Sequence, residues 1–76
     1  MAKYIIKNNL PYGIITETGL MNKKDAARHF LGLVYHLNVN DYQTKVTFRN
    51  KSGVDLRGTI QVDIDGFYYY VELYKL

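Results

Sequence analysis

Few residues in this chain could do chemistry, and their spacing does not favour catalysis. Cysteine is absent, so neither a thiolate nucleophile nor a thiolate metal site can form. The only serine, Ser52, lies in an Asn-Lys-Ser-Gly turn with no histidine near it in sequence, and nothing supports a triad. His29 and His36 are two helical turns apart, roughly 10 Å along the axis. One metal ion holds nitrogen ligands only ~2 Å away, so the pair cannot share it. Both are expected as solvated histidines on the open side of a helix. Asp63 and Asp65 lack the ligand spacing of an EF-hand loop, and Asp65 is better explained by a turn. Asp63 and Glu72 fall on one strand face, but roughly 13 Å apart on the ladder, too far to work as an acid–base pair. Neither a phosphate-cradling loop nor a dinucleotide fingerprint occurs. The expectation is a non-enzyme with no cofactor and no metal.

Tyrosine, arginine and lysine remain, and binding is the chemistry they suit. Residues 56–76 read as two strands joined by Asp65-Gly66, a dipeptide suited to a two-residue type I′ turn because both positions need positive φ. That turn would set Ile64 opposite Phe67, Val62 opposite Tyr69, Ile60 opposite Val71 and Gly58 opposite Leu73. Period-two alternation then collects the aliphatic residues on one face. The other face pairs Asp63 with Tyr68, Gln61 with Tyr70, Thr59 with Glu72 and Arg57 with Tyr74. If a third strand packs alongside, Lys45, Thr47 and Arg49 join that face. The candidate partner-binding residues are Tyr68, Tyr70, Tyr74, Arg57, Gln61, Lys45 and Arg49.

Two kinds of partner suit such a surface. Tyrosine and arginine dominate protein interfaces because they bury much area at modest entropy cost and keep a polar tip. Aromatic rings flanked by cations also stack bases and grip phosphates. Against both stands a structural explanation: tyrosine favours strands for its β propensity, and cross-strand Tyr–Arg and Tyr–Gln pairs stabilise a sheet without a ligand. The preferred reading is a small protein-binding module, an inhibitor or adaptor. A nucleic-acid-binding module using the same face is the alternative, and self-association through it (a homodimer) is a third option. Arg57-Gly58 begins like the RNA-recognition sheet motif, but Thr59, Gln61 and Val62 stand where its aromatics should follow.

Several elements must position these residues. Residues 3–7 and 14–18 are strand candidates flanking a turn-rich segment, which suggests an N-terminal hairpin. Its isoleucine pairs, Ile5-Ile6 and Ile14-Ile15, leave the buried face undecided. Asn22 is a good helix N-cap with Asp25 three positions on. Ala26, Ala27, Phe30, Leu33, Val34 and Leu37 then recur on one helical stripe, with Arg28, His29, Gly32, Tyr35 and His36 opposite. The Asn-Val-Asn-Asp run at 38–41 should end the helix, since asparagine tolerates the left-handed conformation. Gly32 would cost ~1 kcal/mol relative to alanine, which hints at close approach by another element or molecule. Residues 43–49 alternate, with Val46 and Phe48 pointing toward the helix stripe.

The expected fold is α+β: an antiparallel sheet of four to five strands with one helix packed on one face, in the order β-β-α-β-β-β. The α-β-β-β order is similar to part of a double-stranded-RNA-binding domain, but that module needs a second helix after its sheet, and the sequence offers none. With 76 residues the chain makes one domain, residues 1–76, and its 47% apolar residues must hold it without staples. A net charge of +3 permits an anionic partner and argues against mimicry of DNA by carboxylates. The longest apolar run is far short of the ~20 residues that span a bilayer, and no signal-peptide core appears, so a cytoplasmic protein without a membrane partner is the default. An Asn/Lys/Ile/Tyr-rich, cysteine-free composition suits a stand-alone accessory or mobile-element product.

If Asp65-Gly66 sets the register, Gly66→Val should destabilise the protein by more than ~1 kcal/mol while Asp65→Asn is nearly silent. Chemical denaturation of the two variants checks this, and equal tolerance would place control of the register elsewhere.

Overall fold

The computed structural model describes residues 2–13 and 18–76. Four strands, β1 (Tyr4–Asn8), β2 (Gln43–Arg49), β3 (Arg57–Ile64) and β4 (Phe67–Lys75), form one antiparallel sheet in the order β1-β4-β3-β2. One helix, α1 (Lys23–Val39), packs on one face. This is the expected α+β architecture. The second strand expected at 14–18 falls, apart from Thr18, outside the described residues. Thr18 donates its N–H to the Ile6 carbonyl at 3.3 Å, so the chain runs back along β1 there.

The β3–β4 hairpin has the register that its turn demands. Ile64 is opposite Phe67, Val62 opposite Tyr69, Ile60 opposite Val71 and Gly58 opposite Leu73. Asp65 and Gly66 have φ of 54° and 83°, the pair of positive values a type I′ turn requires. β2 then adds to β3 with Lys45 opposite Gln61 and Arg49 opposite Arg57. β1 does not pair with β2 or cover the sheet; it joins β4, with Ile6 opposite Leu73 and Lys7 opposite Glu72. That settles the isoleucine pair of the first strand. Ile6 is buried in the core, and Ile5 is half-buried on the other face opposite Tyr74.

The helix begins where its cap dictates: the Asn22 side-chain oxygen accepts from the Asp25 N–H at 2.8 Å. It ends in a Schellman motif. Tyr42 N–H donates to the Leu37 carbonyl and Asp41 N–H to that of Asn38. The residue in the left-handed conformation is Asp41, at φ 62°, and not an asparagine as expected. Tyr42, next in the chain, packs against the core cluster to which Leu37 belongs, an apolar anchor of the kind that accompanies such an ending.

Phe30 is the centre of the core. It is fully buried, and its ring lies on the bare backbone of Gly58: a Cβ there would sit 2.7 Å from the ring tip. The same ring stacks on Phe48 of β2, with centroids 5.2 Å apart and planes 9° from parallel. Around it pack Ile6, Leu37, Ile60, Val62, Val71 and Leu73. Several residues expected on the inner face are less buried than this. Leu33, Val34, Phe48, Ile64 and Tyr69 are half-buried, and Val46 and Phe67 are exposed although they lie on the helix side of the sheet. β2 is the outermost strand on its side, so Val46 keeps an open flank even though Phe30 and Asn38 of the helix reach its neighbours Phe48 and Thr44.

Two residues, one in the core and one at the surface, had no assigned role in the sequence. Tyr4 is buried, and its hydroxyl accepts the Leu56 N–H at 3.3 Å, tying β1 to the loop that enters β3. The Lys23 ammonium donates to the Lys51 and Val54 carbonyls at 3.0 and 2.9 Å, clamping that loop to the start of the helix. Gly32, by contrast, has no described atom beyond its chain neighbours and its own helix backbone within 4 Å of where its Cβ would stand, so close approach by another element of this chain does not explain it.

Gly58→Ala should therefore cost about 1–3 kcal/mol by overpacking against Phe30, and Phe30→Ala about 3–5 kcal/mol. Gly32→Ala, in open space, should stabilise by up to about 1 kcal/mol. Urea unfolding of the three variants checks both the order and the opposite sign.

The outer face of the sheet as a candidate binding site

The face of the sheet opposite α1 is built by the same alternation that builds the core. From β4 it shows Tyr68, Tyr70, Glu72 and Tyr74; from β3, Arg57, Thr59, Gln61 and Asp63; from β2, Gln43, Lys45, Thr47 and Arg49; from β1, Ile5 and Lys7. The registers align these residues in rows across the strands. One row runs Ile5, Tyr74, Arg57, Arg49, and the next Lys7, Glu72, Thr59, Thr47. A third holds Tyr70, Gln61 and Lys45, and the last Tyr68, Asp63 and Gln43. All seven expected partner-binding residues, Tyr68, Tyr70, Tyr74, Arg57, Gln61, Lys45 and Arg49, thus stand together on one face.

No described element covers this face. Tyr68 and Tyr70 are 61% and 41% exposed, and Tyr74 is half-buried opposite Ile5. Tyr68 and Tyr70 are two residues apart on one strand, so their Cα atoms lie roughly 7 Å apart. Tyr70 is the best-held ring of the three. Its hydroxyl lies 3.5 Å from the Gln61 amide oxygen across the strand pair, a long contact. Its backbone N–H donates to the Asn9 side-chain oxygen at 2.8 Å, and its carbonyl accepts the Asn9 N–H at 3.3 Å. Asn9 thereby continues the β1 ladder one step past the end of the strand. The sequence marked Asn8-Asn9 only as turn residues; an asparagine side chain mimicking a strand amide is the signal that was available there.

Cations dominate the charge on this face. Lys7, Lys45, Arg49 and Arg57 stand against Asp63 and Glu72, and Arg49 is directly opposite Arg57. The ion pairs among the described residues lie elsewhere, Arg28 with Asp25 on the helix and Lys75 with Asp55. A groove between β2 and β3 is lined by Thr47, Arg49, Arg57, Gly58 and Thr59, so the two guanidinium groups border a strip of hydroxyls.

The remaining chemistry-bearing residues are scattered. His29 and His36 are exposed on the helix, and Ser52 is in the exposed turn before β3. Among the described residues no three His, Cys, Asp or Glu side chains come close enough to hold a metal ion. None of the described helices is long and apolar enough to cross a membrane. No protein-family model, curated protein or solved structure matches the chain.

If Asn9 is what holds the backbone of Tyr70, Asn9→Ala should speed hydrogen exchange of the Tyr70 amide roughly tenfold, with core amides unchanged. Residue-resolved exchange by NMR reads this directly.

Proposed function

We propose that the protein acts by contact rather than catalysis, docking another protein on the outer face of its sheet. The observation that carries this reading is the exposure of Tyr68 and Tyr70, beside Tyr74, Arg57, Gln61, Lys45 and Arg49, on a face no described element covers. Aromatic rings on a rigid strand lose little conformational freedom when a partner packs on them, because the backbone and neighbouring side chains already hold them. Arg57 and Gln61 supply directional donors and acceptors beside them. Bound in this way, a partner would be inhibited or bridged, the role of an inhibitor or adaptor.

A nucleic-acid partner is the second reading, and the Arg49–Arg57 pair favours it. Like charges directly opposite on a sheet repel, and an anion between them would relieve the repulsion. Salt separates the two readings. Phosphate contacts lose affinity steeply as salt rises, whereas a tyrosine-centred protein interface responds much less.

Tyr70→Ala and Arg57→Ala should each weaken partner binding by about 1–3 kcal/mol. Their thermal melts should stay within ~0.5 kcal/mol of wild type, apart from a small loss of cross-strand pairing. Comparative capture with wild type and both variants, at low and high salt, followed by circular-dichroism melts, makes the test. Undiminished binding by both folded variants would move attention to the helix surface around Arg28, Gly32, Tyr35 and His36.

A further inference from the structure

The two edges of the sheet are treated differently. At the β1 edge the outward-pointing backbone groups are occupied. Tyr4 exchanges both of its bonds with Met21, at 2.8 and 2.9 Å. The Ile6 carbonyl accepts from Thr18 N–H, and the Ile6 N–H donates to the Thr18 hydroxyl at 3.1 Å. At the β2 edge nothing among the described residues does the same. The two-residue turn at Asp65-Gly66 makes Ile64–Phe67 a hydrogen-bonded pair, and strict alternation then fixes every other strand. By that count Gln43, Lys45, Thr47 and Arg49 bond to β3, while Thr44, Val46 and Phe48 direct their N–H and C=O groups outward.

Edge strands usually carry a proline, a bulge or an inward-pointing charge that blocks further pairing. β2 has none of these: its seven residues pair with β3 without interruption, its inward side chains are Thr44, Val46 and Phe48, and the charges it does carry, Lys45 and Arg49, stand on the outer face. Apolar surface gathers beside the open edge. Val46 is 40% exposed, and Leu31, on the flank of α1 that also carries Asn38, is 50% exposed. The Thr44 hydroxyl bonds the Asn38 side chain at 3.0 Å, which places that flank of the helix over β2.

We propose that β2 pairs antiparallel with β2 of a second copy of this chain, joining two sheets into one of eight strands with both helices on the same side. The strand is complementary to itself. A two-fold axis at its middle residue, Val46, is the only register that pairs all seven residues. It sets Val46 against Val46, Thr44 against Phe48, Lys45 against Thr47 and Gln43 against Arg49, so no two like charges are directly opposite. Shifting the axis by one residue to Lys45 would oppose two lysines, and shifting it to Thr47 would oppose Lys45 and Arg49. In the favoured register all three outward residues of each copy find backbone partners, and Val46 and Leu31 lose their exposure at the axis. This surface is separate from the tyrosine-bearing face, which the pairing leaves open and doubles in extent.

Sedimentation velocity from about 1 µM to about 1 mM protein reads the proposal as a concentration-dependent monomer–dimer equilibrium. Val46→Lys places two ammonium groups at the axis, and Val46→Pro removes an N–H that faces solvent in the monomer. Each should weaken dimerisation tenfold or more while circular dichroism shows the monomer still folded; if the proline variant does not fold, the lysine variant decides. Because Lys45 and Arg49 of the two copies meet only diagonally and in solvent, the dimer should tighten as salt rises. Tyr68→Ala with Tyr70→Ala should leave it unchanged. A wild-type chain that stays monomeric throughout the range overturns the proposal. So does a dimer that survives Val46→Lys or that is lost with the two tyrosines.

Discussion

The structure depends on one contact, the ring of Phe30 lying on the backbone of Gly58. Burying a phenylalanine contributes about 1.5–3 kcal/mol, and a stacked aromatic partner about 0.5–1.5 more. A typical domain's whole margin is only about 5–15 kcal/mol, so this one site is a large share of it. Glycine at 58 lets the ring of Phe30 approach the β3 backbone closely, and Phe48 of β2 stacks on the same ring. Helix, central strand and edge strand are joined through one side chain. The Tyr4–Leu56 bond and the Lys23 clamp then fix the long loop before β3 to both the sheet and the helix.

The surfaces left for binding follow from how little one helix can cover. A helix with its side chains is about 10–12 Å across, while four strands at about 4.8 Å spacing span roughly 14 Å between their outer axes before side chains are counted. Centred on Phe30, α1 leaves Val46 at one side of the inner face exposed. The opposite face receives no second layer from the described residues. Apolar and aromatic groups therefore remain exposed on both sides of the sheet, among them Val46 along the β2 edge, Phe67 beside the β3–β4 turn, and Tyr68 and Tyr70 on the tyrosine face.

The tyrosine face also combines order with openness. Tyr70 is fixed through its backbone by Asn9 and lies beside Gln61, yet its ring remains in solvent. A surface held in place before a partner arrives loses less entropy on binding than a loop would. The Arg49–Arg57 juxtaposition has a different character, because it is mildly unfavourable in the free protein and becomes favourable only beside an anionic group.

The sequence by itself determined the local elements and their facing. Asp65-Gly66 permits one tight turn, and alternation from that turn places every residue of β3 and β4, including the tyrosines, on the correct face. The Asn22 cap and the Phe30–Leu37 stripe defined α1 in the same way, since each depends on neighbours within a few residues. Only the tertiary structure decided the rest. That β1 joins β4, that Tyr4 meets Leu56 and that Asn9 holds Tyr70 are contacts between residues more than fifty positions apart, which no local period encodes. The exposure of Val46 was hidden for a related reason. Alternation states which face a side chain takes, but whether that face is covered depends on where a single helix comes to rest, and Gly58 sets that position.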